Sequence, residues 1–205
     1  MKNIRKSLYY FFGRVYITEK IMRCNEEKLL HISDTPSSFY TGLKQLIQKL
    51  KPKYIIHTGD MVDNIKLELY PSKRKQYENK VKMLIDILEN SSADKIYLVI
   101  GNHDDYRIIS NYAKRSIVVK ESRVIDIEKT KYKVSHFSRD MVNTSAKYNL
   151  FGHDLTMASK IDKGKIYLNG ISGINIVGLK SGKIFVLPYP YGTNDDRMCK
   201  SNIGL

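Results

Sequence analysis

Two runs of the chain carry more chemistry than a surface loop needs. GDMVD occupies residues 59–63 and GNHDDYR residues 101–107, each directly after a short apolar stretch. Asp34 stands in the same way after KLLHIS, His136 closes KYKVSH, and His153 follows YNLFG. Carboxylates, the amide oxygen of Asn102 and imidazoles make a mixed oxygen and nitrogen donor set, which suits manganese, iron or zinc once the side chains converge. A single Asp or His at a strand end is usually a cap or a turn residue. Five such ends in one chain point further, to a metal centre drawn from Asp34, Asp60, Asn102, His136 and His153. Gly59, Gly101 and Gly152 precede three of these residues and allow the chain a sharp exit from each strand.

Residues so far apart must be gathered by the fold. KLLHIS (28–33), KYIIH (53–57) and KIYLVI (95–100) read as buried strands. Between them, 37–50 and 73–90 carry apolar residues at helical spacing: Phe39, Leu43, Leu46, Ile47 and Leu50, then Tyr77, Val81, Leu84, Ile85 and Leu88. Strand, helix, strand, helix, strand predicts parallel pairing through right-handed crossovers. The carboxyl ends of such strands line one crevice, with neighbours about 4.8 Å apart, so Asp34, Asp60 and Asn102 are expected close together. The second half changes to closely spaced strand-like runs, SIVVK, RVIDIEK, KYKVSHF, YNLFGH, KIYLNG, INIVGLK and KIFVLPYP, with LKSGK (179–183) as a hairpin turn. These are expected to be antiparallel, the whole forming two packed sheets. His31 and His57 each lie three residues before a candidate ligand, on the opposite face of a strand, and read as buried, hydrogen-bonded histidines.

No linker-like stretch divides residues 28–205, which read as one domain. Residues 1–27 form an extension, either packed on the body or lying at a membrane interface through the aromatic segment 8–17. Its apolar run from Leu8 to Phe12 is too short for a secretory core or a span. The chain has 205 residues, 42% hydrophobic, enough for a sizeable core and too many for disorder. Lys and Arg number 35 against 21 acidic residues, a net charge of +14. That balance is compatible with a nucleic-acid partner or with solvated basic faces alone. Cys24 and Cys199 lack CxxC spacing, which argues against a zinc knuckle and a disulfide framework and for a reducing, cytoplasmic setting.

Together these motifs resemble the calcineurin-like metallophosphoesterases, whose signatures run DxH, GDxxD, GNHD or GNHE, an isolated His, then GHxH. GDMVD and GNHD match in full, VSH at His136 resembles the isolated His, and YLNGISG (167–173) resembles the asparagine–glycine loop that often follows. The resemblance spans about Leu29 to Pro188. It implies an α/β fold of two mixed β-sheets packed as a sandwich flanked by helices, four layers in αββα order. It also implies hydrolysis of a phosphate mono- or diester by metal-activated water, with His103 as proton donor, Asp104 orienting His103, and manganese, or iron or zinc, as cofactor. Two departures are plain. Pro36 and Leu155 stand where the family places two histidines of the first metal site. That half-site is left with Asp34 and the shared Asp60, while Asp60, Asn102, His136 and His153 keep the second complete. A single-metal enzyme is the first expectation. A relative that binds a phosphorylated ligand or nucleic acid without hydrolysing it is the second.

Overall fold

A computed structural model describes residues 2–199, with side chains from Lys6 onward. The N-terminal extension forms α1 (Lys2–Phe11) and the short α2 (Glu19–Met22). The chain then alternates β1 (Lys28–Ile32), α3 (Tyr40–Leu50), β2 (Tyr54–His57), α4 (Arg74–Glu89), β3 (Lys95–Val99), α5 (Tyr106–Tyr112) and β4 (Ile117–Val119). Seven strands follow, β5 (Arg123–Ile127), β6 (Thr130–Val134), β7 (Tyr148–Phe151), β8 (Lys160–Asp162), β9 (Lys165–Asn169), β10 (Ile174–Gly178) and β11 (Ile184–Leu187), before α6 (Thr193–Arg197).

Period decides which face each element buries. Leu43, Leu46, Ile47 and Leu50 of α3 and Tyr77, Val81, Leu84, Ile85 and Leu88 of α4 form apolar stripes. They cover one face of the first sheet, where Leu30, Ile32, Ile55, Ile96 and Leu98 point. The alternate residues Leu29, Ile56, Tyr97 and Val99 face the second sheet and meet Ile125, Val134, Leu150 and Leu168. A sheet covered on both faces needs apolar side chains at consecutive positions, which is why β1 to β3 read as unbroken apolar runs. Lys51 ends α3 in the left-handed region at φ 47°, ahead of Pro52.

The first sheet has strand order β11-β10-β1-β2-β3-β4 and the second β5-β6-β7-β9-β8. Strands β1 to β4 are parallel neighbours, β10 pairs antiparallel with β1, and β11 closes the sheet antiparallel to β10. Both sheets are mixed. The expectation of an antiparallel second half is corrected at two places. SIVVK supplies β4, a parallel edge of the first sheet, and β6–β7 and β7–β9 are parallel pairs. Local pattern sets strand character, whereas pairing direction is set by the route of the connection. Between β5 and β11 the chain contains no α-helix, only a 3-10 turn at Ser138–Met141.

Within the extension, Tyr10 and Val15 are buried, whereas Leu8, Phe11 and Phe12 are exposed. Tyr10 accepts a backbone hydrogen bond from Tyr191 N at 3.2 Å, and the Gly13 carbonyl lies so close to Gly42 of α3 that no side chain fits there. No helix of the described residues is long and apolar enough to cross a membrane. Cys24 and Cys199 are free thiols.

Candidate metal centre

The loops leaving β1 and β2 are laced together. Asp34 N donates to Gly59 O at 2.9 Å, Thr35 N to Asp60 O at 2.9 Å, and Asp63 N to Thr35 O at 3.1 Å. This lacing holds Asp34 and Asp60 at φ 49° and 54°, and His153 sits at φ 62°. Left-handed backbone is costly for residues with a Cβ and persists where surrounding structure over-determines it. Three of the five candidate ligands adopt it. The glycines act mainly by absence of a side chain. Of Gly59, Gly101 and Gly152, only Gly59 has positive φ, at 100°. A Cβ on Gly59 would lie 2.5 Å from His136 Nδ1, one on Gly101 would run into the Asp60 carboxylate, and one on Gly152 would lie 2.5 Å from Asp34 Oδ2. For Gly101 and Gly152, close approach replaces the sharp exit expected from the sequence.

His136 lies at the centre. Its Nδ1–H donates to the Thr58 carbonyl at 2.7 Å, which turns Nε2 towards the other candidate ligands. Nε2 is 3.0 Å from Asn102 Oδ1 and 3.5 Å from Asp60 Oδ2. Donor atoms of Asp60, His136 and His153 all lie within 4.8 Å of one another. Burial alone would lower the His136 pKa; the Asp60 carboxylate outweighs it and raises it to about 9. Burial likewise acts to raise Asp60, and the His136 and His103 imidazoles overcome it and lower it. Asp60 and His136 are sunken and His153 is exposed. Two imidazoles beside a buried carboxylate, with donor atoms this close, form a donor set and spacing that fit one divalent cation.

The first half-site is thinner. Asp34 is buried, its Oδ2 accepts from His153 N at 3.2 Å, and burial and then Asp60 raise its pKa. Pro36 is buried, and Leu155 is 65% exposed. Asp154 does not replace the missing imidazole. Its carboxylate accepts from Ser138 Oγ at 2.9 Å and from Thr156 N at 2.8 Å, closing its own loop. Asp63, the last residue of GDMVD, is buried and paired with Lys66. Burial, with Asp34 and Asp60 nearby, still raises it to about 8.

Asp104 does other work than the resemblance implied. Its carboxylate accepts from Asp60 N at 2.8 Å, Met61 N at 2.9 Å, Gly101 N at 2.9 Å and Tyr77 Oη at 2.9 Å. It ties the GDMVD and GNHD loops together instead of holding the His103 ring, because four donors take up its acceptor capacity. His103 N donates to Asp60 Oδ1 at 3.0 Å. The ring Nδ1 is buried with no hydrogen-bond partner and lies 3.5 Å from Glu68 Oε2. Burial lowers the His103 pKa.

His31 and His57 are fully buried, as expected of histidines that serve the core. His31 Nε2 bonds Thr58 Oγ1 at 3.0 Å, and His57 Nε2 bonds Thr35 Oγ1 at 2.9 Å. Burial lowers both to about 3. Two further residues carry no sequence signal. Glu68 donates nothing to a period or motif, yet its Oε2 accepts from Asn102 Nδ2 at 2.7 Å. Arg197 of α6 is buried under the site, with Nε donating to Asp34 O at 2.7 Å, one η-nitrogen to Ile171 O at 2.8 Å and the other to Ser33 O at 3.2 Å. Beside Asn102 opens a cleft of about 540 Å³ that includes Glu68, Arg74, Tyr106, Arg107 and Lys120.

A family model described as calcineurin-like phosphoesterase matches residues 27–196. Solved structures of similar fold include an archaeal phosphodiesterase, 16% identical, with a TM-score of 0.58 over 78% of this chain and 99% of that one. Another is Yfce, a phosphoesterase from E. coli, 13% identical, with a TM-score of 0.51 over 80% of this chain and 99% of that one. At these identities the likeness is one of fold. No curated protein matches the sequence.

Proposed function

Because the chain belongs to the calcineurin-like phosphoesterase family, we propose that it hydrolyses a phosphate mono- or diester at a centre holding one tightly bound divalent ion. Asp60, Asn102, His136 and His153 would hold the ion, and manganese suits their mixed donor set. Such an ion, when bound, supplies Lewis acidity to the phosphoryl oxygens and lowers the pKa of water. The chain's own residues supply the rest. Asp60 and His136 fix the donor atoms, and Asp104 clamps the two loops that carry Asp60, Asn102 and His103. His103 gives a proton to the departing oxygen. The cleft beside Asn102 seats the leaving group, with Arg107 and Lys120 on its wall; neither forms an ion pair among the described residues.

One observation carries the reading: Asn102 Oδ1 and Asp60 Oδ2 both approach His136 Nε2, with His103 on the same loop as Asn102. The test is hydrolysis of an aryl phosphodiester and an aryl phosphomonoester with manganese added. His103→Ala is expected to lower the rate about 10²- to 10⁴-fold, as loss of a proton donor does, with metal content unchanged. Absence of turnover with every divalent ion, or an unimpaired His103→Ala enzyme, would overturn it. Pro36 and Leu155 favour a second reading, a phosphate-binding relative that does not turn over. Tight binding of a phosphorylated ligand with no hydrolysis would select it.

A further inference from the structure

We propose that Glu68 is the positioning residue of this centre. Its carboxylate sets the orientation of the Asn102 amide and holds the His103 ring through Nδ1. The proposal rests on the reading of the site as a phosphoester-hydrolysing centre.

An asparagine amide offers an oxygen at one end and donors at the other, and only the oxygen ligates a cation. Asn102 Nδ2 donates to Glu68 Oε2 at 2.7 Å, which leaves Oδ1 turned to His136 Nε2 at 3.0 Å. Turned over, the amide would place its oxygen against the Glu68 carboxylate and its NH₂ against the His136 ring. The carboxylate therefore selects the ligating orientation. The same oxygen, Oε2, lies 3.5 Å from His103 Nδ1, a buried nitrogen with no hydrogen-bond partner. A shift of a few tenths of an ångström closes that gap. Glu68 is more than half exposed, so the shift meets little packing. On the other side of the ring, His103 Nε2 is 3.3 Å from Asn102 Nδ2, a donor. A donor at Nε2 and a carboxylate at Nδ1 together fix the resting tautomer with hydrogen on Nδ1, so a proton that the ring takes up from solvent is carried on Nε2, the atom that then gives it to the departing oxygen.

The neighbouring carboxylates are occupied. Asp104 accepts four hydrogen bonds, Asp63 pairs with Lys66, and Asp60 is shared between His136 and the His103 amide. Asp63 still has a donor atom within 4.8 Å of one on His103, which makes it the rival partner for the ring.

The test uses the full chain with Glu68→Ala, Glu68→Gln and, as rival, Asp63→Asn. Nitrogen-15 histidine spectra without added metal are expected to show His103 protonated on Nδ1 in the parent and on Nε2 in Glu68→Ala, with Glu68→Gln restoring much of the parent signature. Titration calorimetry with manganese should show affinity weakened about 10- to 100-fold in Glu68→Ala, the usual cost of losing a residue that orients a ligand. Hydrolysis should fall more for an alkyl ester, whose leaving group needs a proton, than for a 4-nitrophenyl ester. A general structural loss would lower both alike. Parent-like spectra and affinity in Glu68→Ala, or the tautomer change appearing only in Asp63→Asn, would overturn the proposal. If the parent hydrolyses neither ester, the functional reading fails, while the spectra and calorimetry still decide the role of Glu68.

Discussion

At the scale of single residues, the site is held by what is missing as much as by what is present. Gly101 abuts the Asp60 carboxylate so closely that one methyl group would displace it. Gly101→Ala is expected to cost about 1–3 kcal/mol, the range for overpacking, and to weaken manganese binding; denaturant unfolding and calorimetry measure the two. The core histidines set a pH response of their own. His57 has a pKa of about 3 in the folded chain, from burial, against 6.5 when unfolded. Below pH 6.5 the unfolded state takes up a proton that the folded state refuses, so stability falls as pH drops towards 3. Between pH 7 and pH 5 that single histidine removes about 2 kcal/mol. The metal-free parent should lose about that much more than His57→Gln over the same interval, read by denaturant titration. The convergence of Asp60, Asn102, His136 and His153 was legible in the sequence because each follows an apolar run and belongs to a spaced motif. Glu68 and Arg197 were not, since each is one charged residue in a polar stretch whose partner is set only by folding. The role of Asp104 was misassigned because adjacency to His103 in sequence says nothing of where a carboxylate finds its donors.

At the scale of elements, α3, α4 and β1 to β3 could be read directly, because burial on one face or both leaves a clear period. Strand β4 and the parallel pairs β6–β7 and β7–β9 could not. Their composition matches that of antiparallel strands, and their direction depends on connections that cross the sheet. The terminal helix α6 is too short to stand alone, and Arg197 fastens it to the loop after β1. The guanidinium lies 4.1 Å over the Tyr189 ring and its nitrogens satisfy carbonyls of Ser33, Asp34 and Ile171. Arg197→Met would leave these buried acceptors without donors, at about 3 kcal/mol. Thermal unfolding should show a fall of roughly 6–12 °C for a chain of this size. Loss of hydrolytic rate is expected alongside, since the Asp34 loop is what α6 secures.

At the scale of the molecule, a two-sheet scaffold brings together the residues of one complete candidate ligand set and one reduced set. Asp34 remains in the reduced set, but Pro36 and Leu155 offer no donor atom. Elemental analysis of the purified chain is expected to give about one tightly bound ion, as a single complete tetrad allows. Installing Pro36→His and Leu155→His together should raise this towards two, and a count unchanged at one would show that more than the two imidazoles has been lost. The double replacement should also stabilise the chain when manganese is present, since the cation offsets the crowding of Asp34, Asp60 and Asp63, visible in the raised values for Asp34 and Asp63.

His153 stands at the mouth while Asp60 and His136 lie beneath the surface. An ion seated there has a short path to bulk water, guarded by one side chain on a loop. Exchange with the surroundings should accordingly be quick, so that a strong chelator in excess would empty the centre promptly and a fresh supply of ions would refill it.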